Sequence, residues 1–371
     1  MIKRVVLLGP DPENGSYSTY NYFRVCAAEL ANSVQSIRVE ALCPKVMDIE
    51  GLKVGPRAQV WTRDYIGWPL RLSRVKAEAY HIVDQGLAWY GYVLPMGARL
   101  ITVHDLLNYV TYLGKLPFKP LSLRRTLVVL ECVAEIKKAD HVFAISDFTA
   151  SALMKYLDLQ ARKITITPNC ADVRFRPYSA TEIAAARAKL FGNCEYVIVC
   201  VGSNAECKNR LGALRVFSLV RKRLKSVQLH IVGGRASAME AAFIKESGLK
   251  KSVQYWGMLP VEVLVSFYNG ADALLVTSTY EGFGLPPLEA MQCGCPVVST
   301  TCASLREVVG GAALTVDNPL EVETMARYLV EVLRDGTLHL NLRSLGLRQA
   351  SKFTIERSMQ GIVDTYQRFL V

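Results

Sequence analysis

Short apolar runs alternate with amphipathic stretches along nearly the whole chain, which is the pattern of parallel α/β sheets. Arg4–Leu8, Arg38–Leu42, His81–Val83, Arg99–Val103, His141–Ile145 and Lys163–Thr167 read as buried strands. The pattern breaks at Pro168-Asn-Cys-Ala-Asp172 and Arg176-Pro177, passes a polar connector over 180–190, and restarts. Tyr196–Val201, Gln228–Val232, Val253–Trp256, Ala273–Thr277, Pro296–Ser299 and Ala313–Val316 then read as strands with helices between them. At 371 residues the chain exceeds one ordinary core. The expected fold class is α/β, with two doubly wound, Rossmann-like domains over residues 1–175 and 176–352. The carboxyl ends of their sheets would face a central cleft.

One stretch of the second half carries more chemistry than the rest. Glu281-Gly-Phe-Gly-Leu-Pro-Pro-Leu-Glu289 places two carboxylates eight positions apart, separated by a glycine loop. Ala271–Ser278 before it reads as a strand, and the residues after Pro286 as a helix, because proline suits the first helical turn. Glu281 would therefore lie at a strand's carboxyl end and Glu289 about one turn into the helix. The amides near Gly284 to Leu288 would form an anion site at the helix start. Carboxylates bind hydroxyls and helix amides bind phosphate, and a nucleotide-sugar presents both groups. The same residues also suit a plain strand–turn–helix with an acidic first turn. Paired carboxylates occur in glycoside hydrolysis too, but there they flank a bond in an open groove.

Other strand ends carry polar residues. Gly9-Pro-Asp-Pro-Glu-Asn-Gly15 follows the first strand, where a glycine turn lets backbone approach a ligand; it lacks the G-x-G-x-x-G spacing of a nicotinamide site. His104 follows Leu100–Val103 and can hydrogen-bond a sugar hydroxyl, although a lone histidine is commonly structural. Gly202-Ser-Asn-Ala-Glu-Cys-Lys208-Asn-Arg210 follows the first strand of the second half. Lys208 or Arg210 there can clamp a diphosphate, or form the cationic edge of a solvated loop.

Composition narrows the partners. Hydrophobic residues make up 51% and charged ones 21%, a globular balance, and no run reaches the ~20 apolar residues of a membrane span. The opening Met1–Gly9 reads as a strand rather than a signal peptide. The ten cysteines are scattered, and Cys293-Gly-Cys295 has the wrong spacing for zinc, so reduced cytoplasmic thiols and no metal are expected. The formal charge of +11 calls for an acidic partner. Lys115, Lys119, Arg124, Arg125, Lys137 and Lys138 border an apolar helix over 127–136 that would suit an anionic membrane surface, or a core helix with solvated ends. No nucleic-acid framework is present, so nucleic acid is not expected as a partner.

Taken together, these residues resemble the retaining GT-B glycosyltransferases of family 4. Ser278–Ser299 resembles the family's E-x7-E signature nearly throughout, and Ser304–Ala313 with Asp317-Asn-Pro319 continues it. Weaker matches are Val103-His-Asp-Leu106, Ala139–Ser146, and Ile164–Asn169 before Phe175-Arg-Pro177. The last helix, over 353–371, resembles the one that returns to the first domain. The resemblance implies an N-terminal acceptor-binding domain and a C-terminal donor-binding domain. It also implies that Glu281 contacts the donor sugar, Glu289 the ribose, and amides near Phe283, Gly284 and Leu285 the sugar and phosphate. Lys208 would hold the diphosphate, His104 would reach the sugar from the opposite domain, and Gly15 would line the cleft. The family often carries arginine where this chain has Ser203 and Cys207; Ser203 stands among the donor contacts, and Arg210 would substitute for the missing cation.

The expected activity is retaining transfer of a hexose, with mannose from GDP-mannose first and a UDP-sugar next, to a glycan or lipid-linked acceptor. No metal and no cofactor are expected, the nucleotide-sugar being a co-substrate. The protein would be cytoplasmic and peripheral at the inner face of the cell membrane. A same-fold phosphorylase or epimerase, and a degenerate scaffold subunit, are the alternatives.

Overall fold

The computed structural model describes residues 3–11, 17–33, 37–44 and 62–370. Gly15 lies outside them. The chain divides into two compact units, one ending at Asn169 and taking in the C-terminal segment from Ile355, the other spanning Cys170–Thr354.

The first unit is a six-stranded sheet in the order β2-β1-β3-β4-β5-β6. Its strands are β1 Lys3–Leu8, β2 Ile37–Leu42, β3 Ala79–Ile82, β4 Ala98–Val103, β5 His141–Ala144 and β6 Ile164–Ile166, and every pairing is parallel. Consecutive β1 residues are buried on opposite faces, which is why this strand reads as an unbroken apolar run rather than an alternating one. Val6 and Leu8 join a core with Ile101, Val103, Val133 and Leu153. Val5 and Leu7 join another with Phe23, Phe143, Ile362 and Tyr366. That second face is covered by helices Tyr17–Ser33 and Ile355–Leu370.

The second unit holds β7 Tyr196–Val201, β8 Val227–Val232, β9 Val253–Trp256, β10 Ala273–Val276, β11 Val297–Thr300 and β12 Leu314–Val316. The order is β12-β11-β10-β7-β8-β9, again all parallel. Numbered within the unit this is the 3-2-1-4-5-6 order of a doubly wound fold, whose direction reverses between β7 and β10. Ligands in such sheets bind beyond the strand carboxyl ends at that reversal, so the loops after β7 and β10 are its privileged pair. Helix Val322–Arg334, not singled out in the sequence pattern, seals the core with Met325, Leu329 and Val332 against Phe217 of helix Arg210–Arg223.

The helix expected over 127–136 runs from Leu123 to Lys138. Its Cys132, Val133 and Ile136 are core residues, while Leu123 and Leu127 at its amino end are exposed.

Candidate functional site

The loops after β7 and β10 are laced into one structure. Residues Glu206–Lys208 form a single 3-10 turn, and Asn209 follows in the left-handed region at φ 48°. Asparagine tolerates that conformation better than most residues. Its side chain caps helix Arg210–Arg223 by accepting from the Gly212 amide at 3.2 Å and donates to the Thr277 carbonyl at 3.1 Å. The Thr277 hydroxyl donates back to the Asn209 carbonyl at 2.9 Å, and the Thr279 amide to the Cys207 carbonyl at 2.8 Å. Lys208 is thereby carried to the mouth of β10.

There its ammonium donates to both oxygens of Glu281, at 2.6 and 2.7 Å. The buried Ser278 hydroxyl donates to the same carboxylate at 2.7 Å. Both partners of the pair keep part of their surface exposed, 21% for the lysine side chain and 11% for the glutamate, so an incoming ligand can reach them. The arrangement offers a positive and a negative group within one hydrogen-bond length. The paired lysine offsets the negative charge that the carboxylate would otherwise present alone.

Beyond Glu281 the loop is fixed from the next βα unit. The fully buried Ser304 hydroxyl lies 2.8 Å from the Glu281 carbonyl and 2.7 Å from that of Phe283, sharing its one proton between them. Phe283 is buried, edge-on to Phe353 at 5.6 Å. Gly284 sits at φ 113°, a region closed to most side chains, and a Cβ there would stand 2.9 Å from Leu305 Cδ2. Helix Leu285–Gln292 starts here. The expected row of amides from Gly284 to Leu288 is shorter than supposed. Pro286 and Pro287 have no N–H, and the Leu288 amide turns back to the Gly284 carbonyl at 3.4 Å. The donors left at this helix start are the amides of Phe283, Gly284 and the half-buried Leu285.

Glu289 points from the first turns of that helix into a desolvated setting. Tyr268, fully buried, donates to its Oε2 at 2.9 Å. Burial, opposed by this hydrogen bond and by Lys208 and reinforced by Asp172, pushes the carboxyl up to about 7.

Arg210 is placed elsewhere than the sequence suggested. It is 4% exposed and ion-paired with Glu240 at 3.0 Å. It also donates to Asn204 and to the Arg235 carbonyl and lies over the Tyr255 ring at 5.0 Å. It braces the loop from beneath, so the cation presented beside Glu281 is Lys208 alone of the two. Ser203 is exposed, accepting only a long 3.4 Å bond from the Ala205 amide. In the first unit, His104 follows β4 as expected. It is buried, its Nε2–H donates to the Val83 carbonyl at 2.8 Å, and Tyr22 meets it edge-on at 5.1 Å. That bond fixes the ring's orientation and commits Nε2 to the backbone, away from any ligand.

Sequence reasoning did not assign Ser278, Ser304, Tyr268 or Asp172. Only Ser278 left a local signal, a short hydroxyl side chain at the strand end three residues before Glu281.

Known proteins share this layout. The sequence profile "Glycosyltransferase Family 4" matches residues 27–175, and "Glycosyl transferases group 1" matches 183–348. O-antigen chain mannosyltransferase B of Escherichia coli is 28% identical over 62% of the chain and 61% of its own length. Serotype-specific mannosyltransferase WbdA of the same organism is 27% identical over 72% of the chain but only 33% of its length. The matched region thus spans between a third and two thirds of these relatives. Among solved structures, sucrose-phosphate synthase from Thermosynechococcus elongatus superposes with a TM-score of 0.77 at 19% identity, covering 99% of this chain and 98% of that one. Anabaena HepE, solved with UDP and glucose, gives 0.73 at 18% identity, over 98% and 99%. Two adjoining profiles that between them take in most of the chain, and a fold shared from end to end, give one conclusion: this chain belongs to the family 4 glycosyltransferases and has the GT-B fold.

Proposed function

We propose that the protein transfers a hexosyl group, with retention, from a nucleoside-diphosphate sugar to a hydroxyl of a glycan or lipid-linked glycan. The observation that carries this reading is the bidentate Lys208–Glu281 pair at the sheet reversal of the second unit. A donor bound there would take the lysine with its diphosphate and the glutamate with its sugar hydroxyls. Amides of Phe283, Gly284 and Leu285 would hold phosphate oxygens, and Glu289 the ribose. Bond breaking leaves negative charge on the departing phosphate oxygen, which Lys208 and the amides would stabilise. That oxygen then takes the acceptor's proton as the acceptor oxygen bonds the anomeric carbon on the same face. No side-chain nucleophile is required.

Two relatives named as mannosyltransferases favour mannose, and with it GDP-mannose as donor. A lipid-linked acceptor at the inner face of the membrane is supported by exposed Leu123 and Leu127 beside Arg124 and Arg125, and by the charge of +11. No helix among the described residues is long and apolar enough to cross a membrane.

The test is calorimetric titration with UDP, GDP and ADP, followed by donor turnover. One nucleotide should bind tightly. Glu281→Ala should abolish turnover while leaving nucleotide affinity within about tenfold, or ~1.4 kcal/mol. Lys208→Ala should lower both. Wild type and Glu281→Ala turning over alike, or no nucleotide binding by a folded protein, would sink the reading in favour of a scaffold subunit.

A further inference from the structure

Glu289 is an unusual recognition group, because one of its oxygens is already used inside the protein. Oε2 accepts from Tyr268 at 2.9 Å, and among the described residues Oε1 has no hydrogen bond. The tyrosine is deep in the unit, on helix Val261–Gly270, with its ring set edge-on to Phe175 at 5.9 Å. Its own proton is held tightly, since burial and the neighbouring Glu289 push the phenol well above its ordinary range. It therefore keeps its proton and donates to Glu289 over the neutral range. Such a bond locks the carboxylate's orientation and leaves lone pairs on one edge, the geometry that a vicinal diol needs.

We propose that Tyr268 is a positioning residue of the nucleotide site: it aims the Glu289 carboxylate at the ribose diol, and so sets both the ribose requirement and the pH range of nucleotide binding. The proposal rests on the reading of Glu289 as the ribose contact.

The charges around Glu289 make it testable in two directions. Asp172, on the segment that leads into the unit, repels the ionised carboxylate; Lys208, on the 3-10 turn, and Tyr268 stabilise it. Cys293, just past the same helix, also faces it, but burial pushes that thiol up to about 12; burial raises Cys295 well above the ordinary thiol range too, so both stay neutral. Asp172 is itself held by Arg174 at 2.7 Å. Removing the Tyr268 hydroxyl withdraws support from the charged form of Glu289 and raises the pH below which binding fails. Removing the Asp172 charge withdraws a repulsion and lowers it. A variant that merely damages the fold would weaken binding at every pH without shifting the profile.

The experiment is calorimetry with UDP and GDP and their 2′-deoxy counterparts, from pH 5.5 to 8.5, on wild type, Tyr268→Phe and Asp172→Asn. For wild type, affinity for the ribonucleotide should fall below about pH 7. Tyr268→Phe should move that midpoint up by about one unit and cut the ribo-over-deoxy preference at pH 7 by roughly tenfold. Asp172→Asn should move the midpoint down and keep the preference. An unmoved profile and preference in Tyr268→Phe overturns the proposal while leaving the nucleotide site intact, as does movement of both variants in one direction. A wild-type chain that binds none of the four overturns the nucleotide reading, and this proposal with it.

Discussion

Arg210 and Glu240 show how differently two cations of one loop can be used. Lys208 and Arg210 stand two residues apart, yet the first keeps 21% of its side chain exposed and the second 3%. Asn209, with its left-handed backbone between them, puts the two side chains on opposite sides of the loop. A buried ion pair of this kind contributes little net stability, but breaking it strands a charge at a cost of about 3–5 kcal/mol. Arg210→Met should therefore lower the urea-unfolding free energy by about that amount, and Arg210→Met with Glu240→Leu should restore most of it. The double variant should keep nucleotide affinity within about threefold, or ~0.7 kcal/mol, because neither residue faces the ligand. Had Arg210 been the diphosphate cation, the double variant would fold well and bind poorly. Nothing in the local sequence distinguishes the two cations: Arg210 is committed by a glutamate thirty residues away in the chain, delivered by the next βα unit.

At the scale of elements, helix Ile355–Leu370 depends on one close approach. Met359, Ile362, Tyr366 and Leu370 recur at helical spacing and bury against the first sheet. Gly361 brings the helix backbone onto β6 and the residue after it, where a Cβ would stand 2.8 Å from Thr165 Cγ2 and 3.1 Å from Thr167 Cγ2. Two effects oppose each other when this glycine is enlarged. Helix propensity gains about 1 kcal/mol, and overpacking a tight contact loses about 1–3 kcal/mol, more for a branched side chain. The second should win for Gly361→Leu, lowering the thermal midpoint, while Gln360→Leu on the exposed side should change stability by no more than about 0.5 kcal/mol. Equal midpoints for the two variants would mean that the helix does not seat as tightly as the contact implies. The periodic face was legible from sequence; the reason for a glycine in the middle of it was not, since the threonines lie nearly two hundred residues earlier.

For the molecule as a whole, acid sensitivity comes from histidines rather than from surface ion pairs. Burial lowers His81 to about 3 and His141 and His230 to about 4, and lowers His339 as well. His81 spends both ring nitrogens inside the protein, 2.7 Å from the Tyr366 hydroxyl and 2.8 Å from that of Thr102. Each folded value is below the unfolded value near 6.5, so the unfolded chain binds more protons. Stability is complete above about pH 6.5 and is lost as the pH falls towards the folded values. Glu289 acts the other way, because its folded value of about 7 lies above that of an unfolded glutamate. Four histidines against one glutamate predict a urea midpoint that drops from pH 7 to pH 5. The drop should be steeper in Glu289→Gln, which removes the opposing group. A midpoint that is flat or rises over that range would show that the histidines are not sequestered.

What could be read from the chain was whatever local periodicity encodes. Short apolar runs announced the twelve strands, within a residue or two at most ends. Inner strands such as β3, β5, β10 and β11 are buried along their whole length, because helices cover both faces of a parallel sheet, while β2, β6, β9 and β12 stay partly exposed. The spacing of Glu281 and Glu289 around Gly284 and two prolines announced the turn and the helix start, because those residue types have few other conformations open to them. Tertiary structure alone decided the partners. Lys208 meets Glu281 seventy-three residues on, Ser304 pins the loop from the following unit, and Tyr268 reaches Glu289 from the preceding helix. The reason is physical: a polar side chain's partner is set by which strand ends the sheet order brings side by side. In the second unit, the reversal between β7 and β10 makes neighbours of two loops that the chain keeps far apart.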